Sequence, residues 1–146
     1  MDVTFTEEQF RVLIELVSLG NWIANGPRSP EEQVKRYADL EEYILATAYR
    51  SGFTDIVEFD REMNAYHPTG GFEDSLQPYI EEYDEDNFWD ELIYRLAHRD
   101  FVAAYGKAIA AMTLGDRMEK EQPFLDKYFA EISERGIERL KLAPSS

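Results

Sequence analysis

The chain has 146 residues, with 30 acidic side chains against 15 Lys and Arg, a net charge of −15 and no cysteine. That charge excludes sequence-independent nucleic-acid binding, which needs clustered cations to displace counterions, and it disfavours anionic membrane surfaces. The lack of cysteine excludes disulfides and thiolate metal sites and fits a reducing compartment.

An apolar fraction of 44% is ordinary for a globular protein, and the length predicts one domain over residues 1–146. The first residues lack the basic and apolar runs of a signal peptide, and no stretch approaches the ~18 apolar residues that span a bilayer. The expectation is a cytoplasmic protein.

The first helix has a start signal: Thr6 as cap with Gln9 three residues on. Phe10, Leu13, Ile14, Leu16, Val17 and Ile23 follow at helical spacing, and Asn25-Gly26-Pro27 ends the run. A second helix is predicted from Ser29 as cap, with Pro30 in the first turn and Glu32 closing the box. Val34, Tyr37, Ala38, Leu45, Ala48 and Tyr49 form its apolar stripe, with Arg36, Glu41 and Glu42 facing away. Gly52 suits the left-handed position past its end, where Phe53 can pack back.

Ile56, Phe59, Met63 and Tyr66 predict a short third helix over about 54–66. His67-Pro68-Thr69-Gly70-Gly71 predicts a break, opening a long loop over about 67–77. A brief fourth helix would hold Tyr79, Ile80 and Tyr83. A fifth begins in Asp84-Glu85-Asp86, buries Phe88, Trp89, Leu92, Ile93, Leu96 and Ala97, and kinks or restarts at Asp100. Leu114-Gly115-Asp116 reads as a break. The last helix covers about 119–135, and its start is placed near Pro123. The alternation over 137–142 suggests a short extended segment. The predicted fold is therefore all-α: a bundle of five to six helices.

The most unusual stretch runs from Glu62 to Tyr94. It holds ten acids and seven large aromatics and no Lys or Arg, so it carries ten of the fifteen net charges. Part of it is ordinary helix chemistry, because acids at a helix N-terminus complement its dipole. Tyr66, Phe72 and Tyr83 lack an evident core role. With Glu73, Glu81 and Glu82 they are expected to form a binding surface. Aromatics supply contact area and acids steer a basic partner.

Motifs for chemistry are weak. An EF-hand counted from Asp84 needs Gly at its sixth position and Glu at its twelfth; those are Trp89 and Arg95. Glu58, Glu62 and His67 lack the Glu-x-x-His spacing of helical metal sites. His98-Arg99-Asp100 lacks the Asn that a kinase loop places five residues on; Tyr105 stands there. No metal and no cofactor is expected.

Arg61 and His67 are separated by five residues, and this pair resembles the catalytic pair of HEPN-type helical ribonucleases. The resemblance covers two residues. It implies a helical setting, a dimer interface and RNA cleavage by Arg61 and His67.

The reading preferred from sequence is a non-enzymatic protein that binds a basic protein partner. That partner class includes nucleases and other nucleic-acid-binding proteins, with this chain as inhibitor or regulator. The alternatives are the HEPN-like ribonuclease and a structural or oligomerising protein, and a homo-oligomer stays open.

Overall fold

The structure is a computed structural model and describes residues 2–141. Among them the chain is mostly helical, in line with the all-α class. It has four α-helices, two 3-10 turns and one small hairpin, not five to six helices. It divides into two compact units, Met1–Glu81 and Glu82–Ser146.

In the N-terminal unit, α1 (Glu7–Asn25) starts as its sequence dictates. Thr6 Oγ1 accepts from the Gln9 N–H at 3.2 Å, and Gln9 Oε1 accepts from the Thr6 N–H at 2.9 Å. The predicted start of the second helix is corrected. Ser29 precedes only a 3-10 turn, Pro30–Glu32, without a side-chain cap bond, and α2 (Lys35–Arg50) begins after Val34. The cause is Asn25. Its side-chain oxygen accepts the Val34 N–H at 2.7 Å, and its amide donates to the Val34 carbonyl at 3.4 Å. The peptide so held cannot continue a helix from Ser29. Gly52 takes φ +92°, and the Phe53 N–H donates to the Ala48 carbonyl at 3.1 Å, the expected left-handed ending.

The third helix over 54–66 does not form. Strands β1 (Val57–Asp60) and β2 (Ala65–Pro68) pair antiparallel there, with Glu58 opposite His67 and Phe59 opposite Tyr66. Asp60 Oδ1 accepts the N–H groups of Glu62 and Met63 at 2.7 and 3.1 Å, and Asn64 adopts φ 51°. An Asx-type turn closed by a left-handed Asn competes directly with a helix.

The predicted loop over 67–77 is also corrected. A single helix, α3 (Gly70–Tyr105), runs for 36 residues and absorbs the fourth and fifth predicted helices. Thr69 starts it: its hydroxyl accepts the Phe72 N–H at 3.3 Å and donates to the Asp55 carbonyl at 2.7 Å. Gly70 and Gly71 fall in the first turn, and Phe72, Leu76 and Ile80 recur every fourth residue behind them. Pro78 lies inside the helix, and Asp100 is not a new cap. The N-terminal core contains Ile14, Leu45, Ala48, Phe53, Ile56, Val57, Phe72 and Leu76.

In the C-terminal unit, α3 is followed by a 3-10 turn (Gly106–Ala111) and α4 (Leu114–Arg135). The Leu114-Gly115-Asp116 break is instead a helix start. Thr113 Oγ1 accepts the Asp116 N–H at 3.1 Å, and Asp116 Oδ2 accepts the Thr113 N–H at 3.1 Å. Pro123 therefore lies within α4. Residues 136–139 form turns, with the Leu140 N–H donating to the Ile137 carbonyl, and no strand forms over 137–141; Leu142 lies outside the described residues. Ile93, Ala97, Tyr128 and Ile132 make this unit's core, and Phe101 is 1% exposed.

Candidate functional site

The N-terminal unit carries a cleft of about 720 Å³ whose lining includes Ser18, Asn21, Trp22, Glu41, Phe72 and Glu73. Helix periodicity places Ser18, Asn21 and Glu41. On α1 the core stripe through Ile14 continues at steps of four, three and four residues to Ser18, Asn21 and Asn25. Ser18 and Asn25 are buried, at 8% and 7% exposure. On α2 the stripe Val34, Ala38, Glu41, Leu45, Ala48 has the same spacing. Glu41 therefore turns inward with the apolar residues, against the expectation that it faces away; it is half-buried.

These polar side chains form a chain of hydrogen bonds. Asn25 donates to Asn21 Oδ1 at 2.7 Å, and Asn21 donates to Glu41 Oε2 at 2.5 Å. No described cation pairs with Glu41. Burial pushes the Glu41 pKa up, and the nearby Glu73 charge adds to the rise. The Ser18 hydroxyl and the Asn21 amide oppose it. Ser18 Oγ lies near the carboxylate yet completes no well-aligned hydrogen bond with any described group. Misaligned contacts weaken steeply, so this one holds the hydroxyl only loosely.

A raised carboxylate pKa has a definite sign in stability. The protonated form of Glu41 favours folding below the ordinary carboxylate range. That contribution is lost as pH rises through the raised folded value. Glu41→Gln keeps the site neutral at every pH. Denaturant titrations should find it more stable than wild type at neutral pH, with the gain vanishing in acid. A variant less stable at neutral pH would contradict the burial account.

The residues expected to form a binding surface are placed unequally. Phe72 is a core residue at 6% exposure that also lines the cleft, and Glu73 stands exposed beside it. Tyr66 is half-buried and packs on Tyr49 and Phe59, with ring centroids 5.4 and 4.9 Å away. Glu81, Glu82 and Tyr83 are exposed on α3 and are not in the cleft lining. Arg61 lies exposed in the hairpin turn, and His67 lies on β2 with its Nε2 buried and unpartnered among the described groups. The helical setting implied by the HEPN resemblance is thus replaced by a hairpin.

In the C-terminal unit, Asp100 is the hub of a polar cluster. Tyr128 Oη donates to it at 2.6 Å, Lys127 Nζ at 3.0 Å and Arg99 Nη2 at 2.8 Å. The Tyr128 hydroxyl first, then Lys127 and Arg99, hold its pKa well below the usual carboxylate range, against an opposing effect of burial. The described partners of Asp100 all lie on α3 and α4, so the cluster reads as structural. Among the described residues no three His, Asp or Glu side chains gather as a metal site, and no helix is long and apolar enough to cross a membrane.

Fold and cleft together define a mostly helical, acidic chain with a half-buried carboxylate in an open polar cleft. Compared with protein-family models, curated proteins and solved structures, the chain matches none.

Proposed function

We propose that this protein acts by binding a basic protein partner. One observation carries the reading. Of the ten acids between Glu62 and Tyr94, only Glu91 pairs with a described cation, Arg95 at 2.9 Å. The other nine are spent neither on internal ion pairs nor on nearby lysines. Exposed aromatics stand among them, including Tyr79, Tyr83 and Phe88. Uncompensated acids steer a cationic surface and exclude anionic ones, while aromatics supply contact area that charge alone lacks.

The partner class that fits is a nucleic-acid-binding protein, nucleases included, whose phosphate-binding face is rich in Lys and Arg. Carboxylates on α3 would stand where phosphates otherwise sit, so the action on such a partner would be inhibitory or regulatory.

The test is charge reversal. Glu81→Lys combined with Glu82→Lys changes two exposed positions on α3 and leaves the described core intact. Capture of basic proteins from host lysate, identified by mass spectrometry, should fall on the order of tenfold in this variant, because steering acts through local charge. Equal capture by wild type and variant would remove the acidic surface from the account.

A further inference from the structure

We propose that the cleft at Glu41 is a socket for the guanidinium of an arginine side chain on the partner; this rests on the basic-partner reading and names what that partner inserts. The socket has one committed and one uncommitted edge. Glu41 Oε2 accepts from Asn21 at 2.5 Å, which fixes the carboxylate, and no described group donates to Oε1. Ser18 lines the same cleft. It is 8% exposed, and its Oγ has no partner. A half-buried carboxylate oxygen is thus left for a ligand that brings donors, while the Ser18 hydroxyl near it is sealed from solvent. A carboxylate oxygen that water alone solvates is free to exchange that water for a charged donor.

The missing partner must be cationic and rich in donors. Glu41, Glu73 and Asp74 line the cleft, against Arg28 as the only described cation in its lining. Arg28 is itself engaged, its guanidinium donating to the Ala24 carbonyl. An anion is repelled there. A neutral apolar group would leave Glu41 Oε1 unpartnered. A divalent cation such as calcium needs about six to eight oxygen ligands, which Glu41 and Ser18 do not supply.

Between the two cationic side chains, the lining favours arginine. A guanidinium presents five N–H donors in a planar fork that matches a carboxylate edge, and its flat face stacks on an aromatic ring. Trp22 is exposed in the same lining and offers that ring. A lysine ammonium brings three donors and no plane. At about 720 Å³ the cleft also has room for the peptide that carries the side chain.

The experiment uses the full chain and n-butylguanidinium as probe, with n-butanol as the neutral control, followed by NMR. The Trp22 indole N–H and the Asn21 side-chain amide should shift saturably with n-butylguanidinium and not with n-butanol. The Trp89 indole should not move. Glu41→Gln should weaken the response by about tenfold or more, as expected for losing a charged hydrogen-bond acceptor. Glu138→Gln, in the C-terminal turns, should respond as wild type does. Because Glu41→Gln is expected to be at least as stable as wild type, a lost response reports the site and not unfolding.

Three results would overturn the socket: no saturable shift, an equal shift with n-butanol, or an unchanged response in Glu41→Gln. If basic proteins are still captured in a charge-dependent way while the probe fails, the socket alone falls. If the probe binds through Glu41 but charge reversal on α3 leaves capture unchanged, the α3 surface falls and the cleft remains.

Discussion

Phe101→Ala should destabilise the C-terminal unit by about 3–5 kcal/mol, the range for truncating a buried Phe. Phe101 is 1% exposed and lies among Tyr105, His98 and Phe124, with ring centroids 5.2, 6.2 and 6.4 Å away. Its removal deletes a full aromatic side chain and opens a cavity between α3 and α4 that rigid helix backbones close only partly. Such a loss is a large share of the ~5–15 kcal/mol that holds an ordinary domain. Denaturant titration followed by circular dichroism reads it directly. A loss under about 1 kcal/mol would mean that the site is exposed or collapses freely.

Ile14→Ala is the second large effect, at about 2–5 kcal/mol in the N-terminal unit. Ile14 is 1% exposed and belongs to the same core cluster as Leu45, Ala48 and Phe53. It sits one helical turn before Ser18 on the same stripe, so its packing also holds α1 in register under the cleft. Hydrogen exchange should therefore show lost protection in α1 and α2, including the turns that carry Asn21 and Glu41. Full protection in both helices would contradict the packing described for the stripe.

How much of this was legible in the sequence follows from how local each signal is. The Thr6–Gln9 box and the left-handed Gly52 are complete within four or five residues, and both were readable. The hairpin was hidden because Ile56, Phe59, Met63 and Tyr66 are sparse enough to mimic a helix, while Asp60 and Asn64 hold the turn through short side-chain contacts. The loop over 67–77 was misread because Gly70, Gly71 and Pro78 are helix breakers in isolation. Thr69 as a cap with Phe72, Leu76 and Ile80 behind it outweighs them. Thr113 with Asp116 is the same kind of box as Thr6 with Gln9, and Gly115 inside it masks the signal because glycine is a poor helix former.

The cleft was legible only in part. Phe72 and Glu73 came from the acidic aromatic window, although Phe72 proved to be core. Ser18, Asn21 and Asn25 were missed because polar residues do not register in an apolar search. Their signal is that they continue the Ile14 stripe without a change of spacing. Glu41 was read as solvent-facing from its charge, whereas its position on the Ala38 and Leu45 stripe places it inward. Periodicity should outrank residue type where the two conflict, because a charged residue on a core stripe is a common mark of a site.

The proposed role of the acids is to hold a basic partner. Its most direct measurement is the affinity for a basic protein recovered on the immobilised chain, taken as a series of rising salt concentrations. The account predicts tight retention at low salt, with affinity falling steadily as salt screens the surface. Retention of nothing at any salt, or an affinity indifferent to salt, would contradict it.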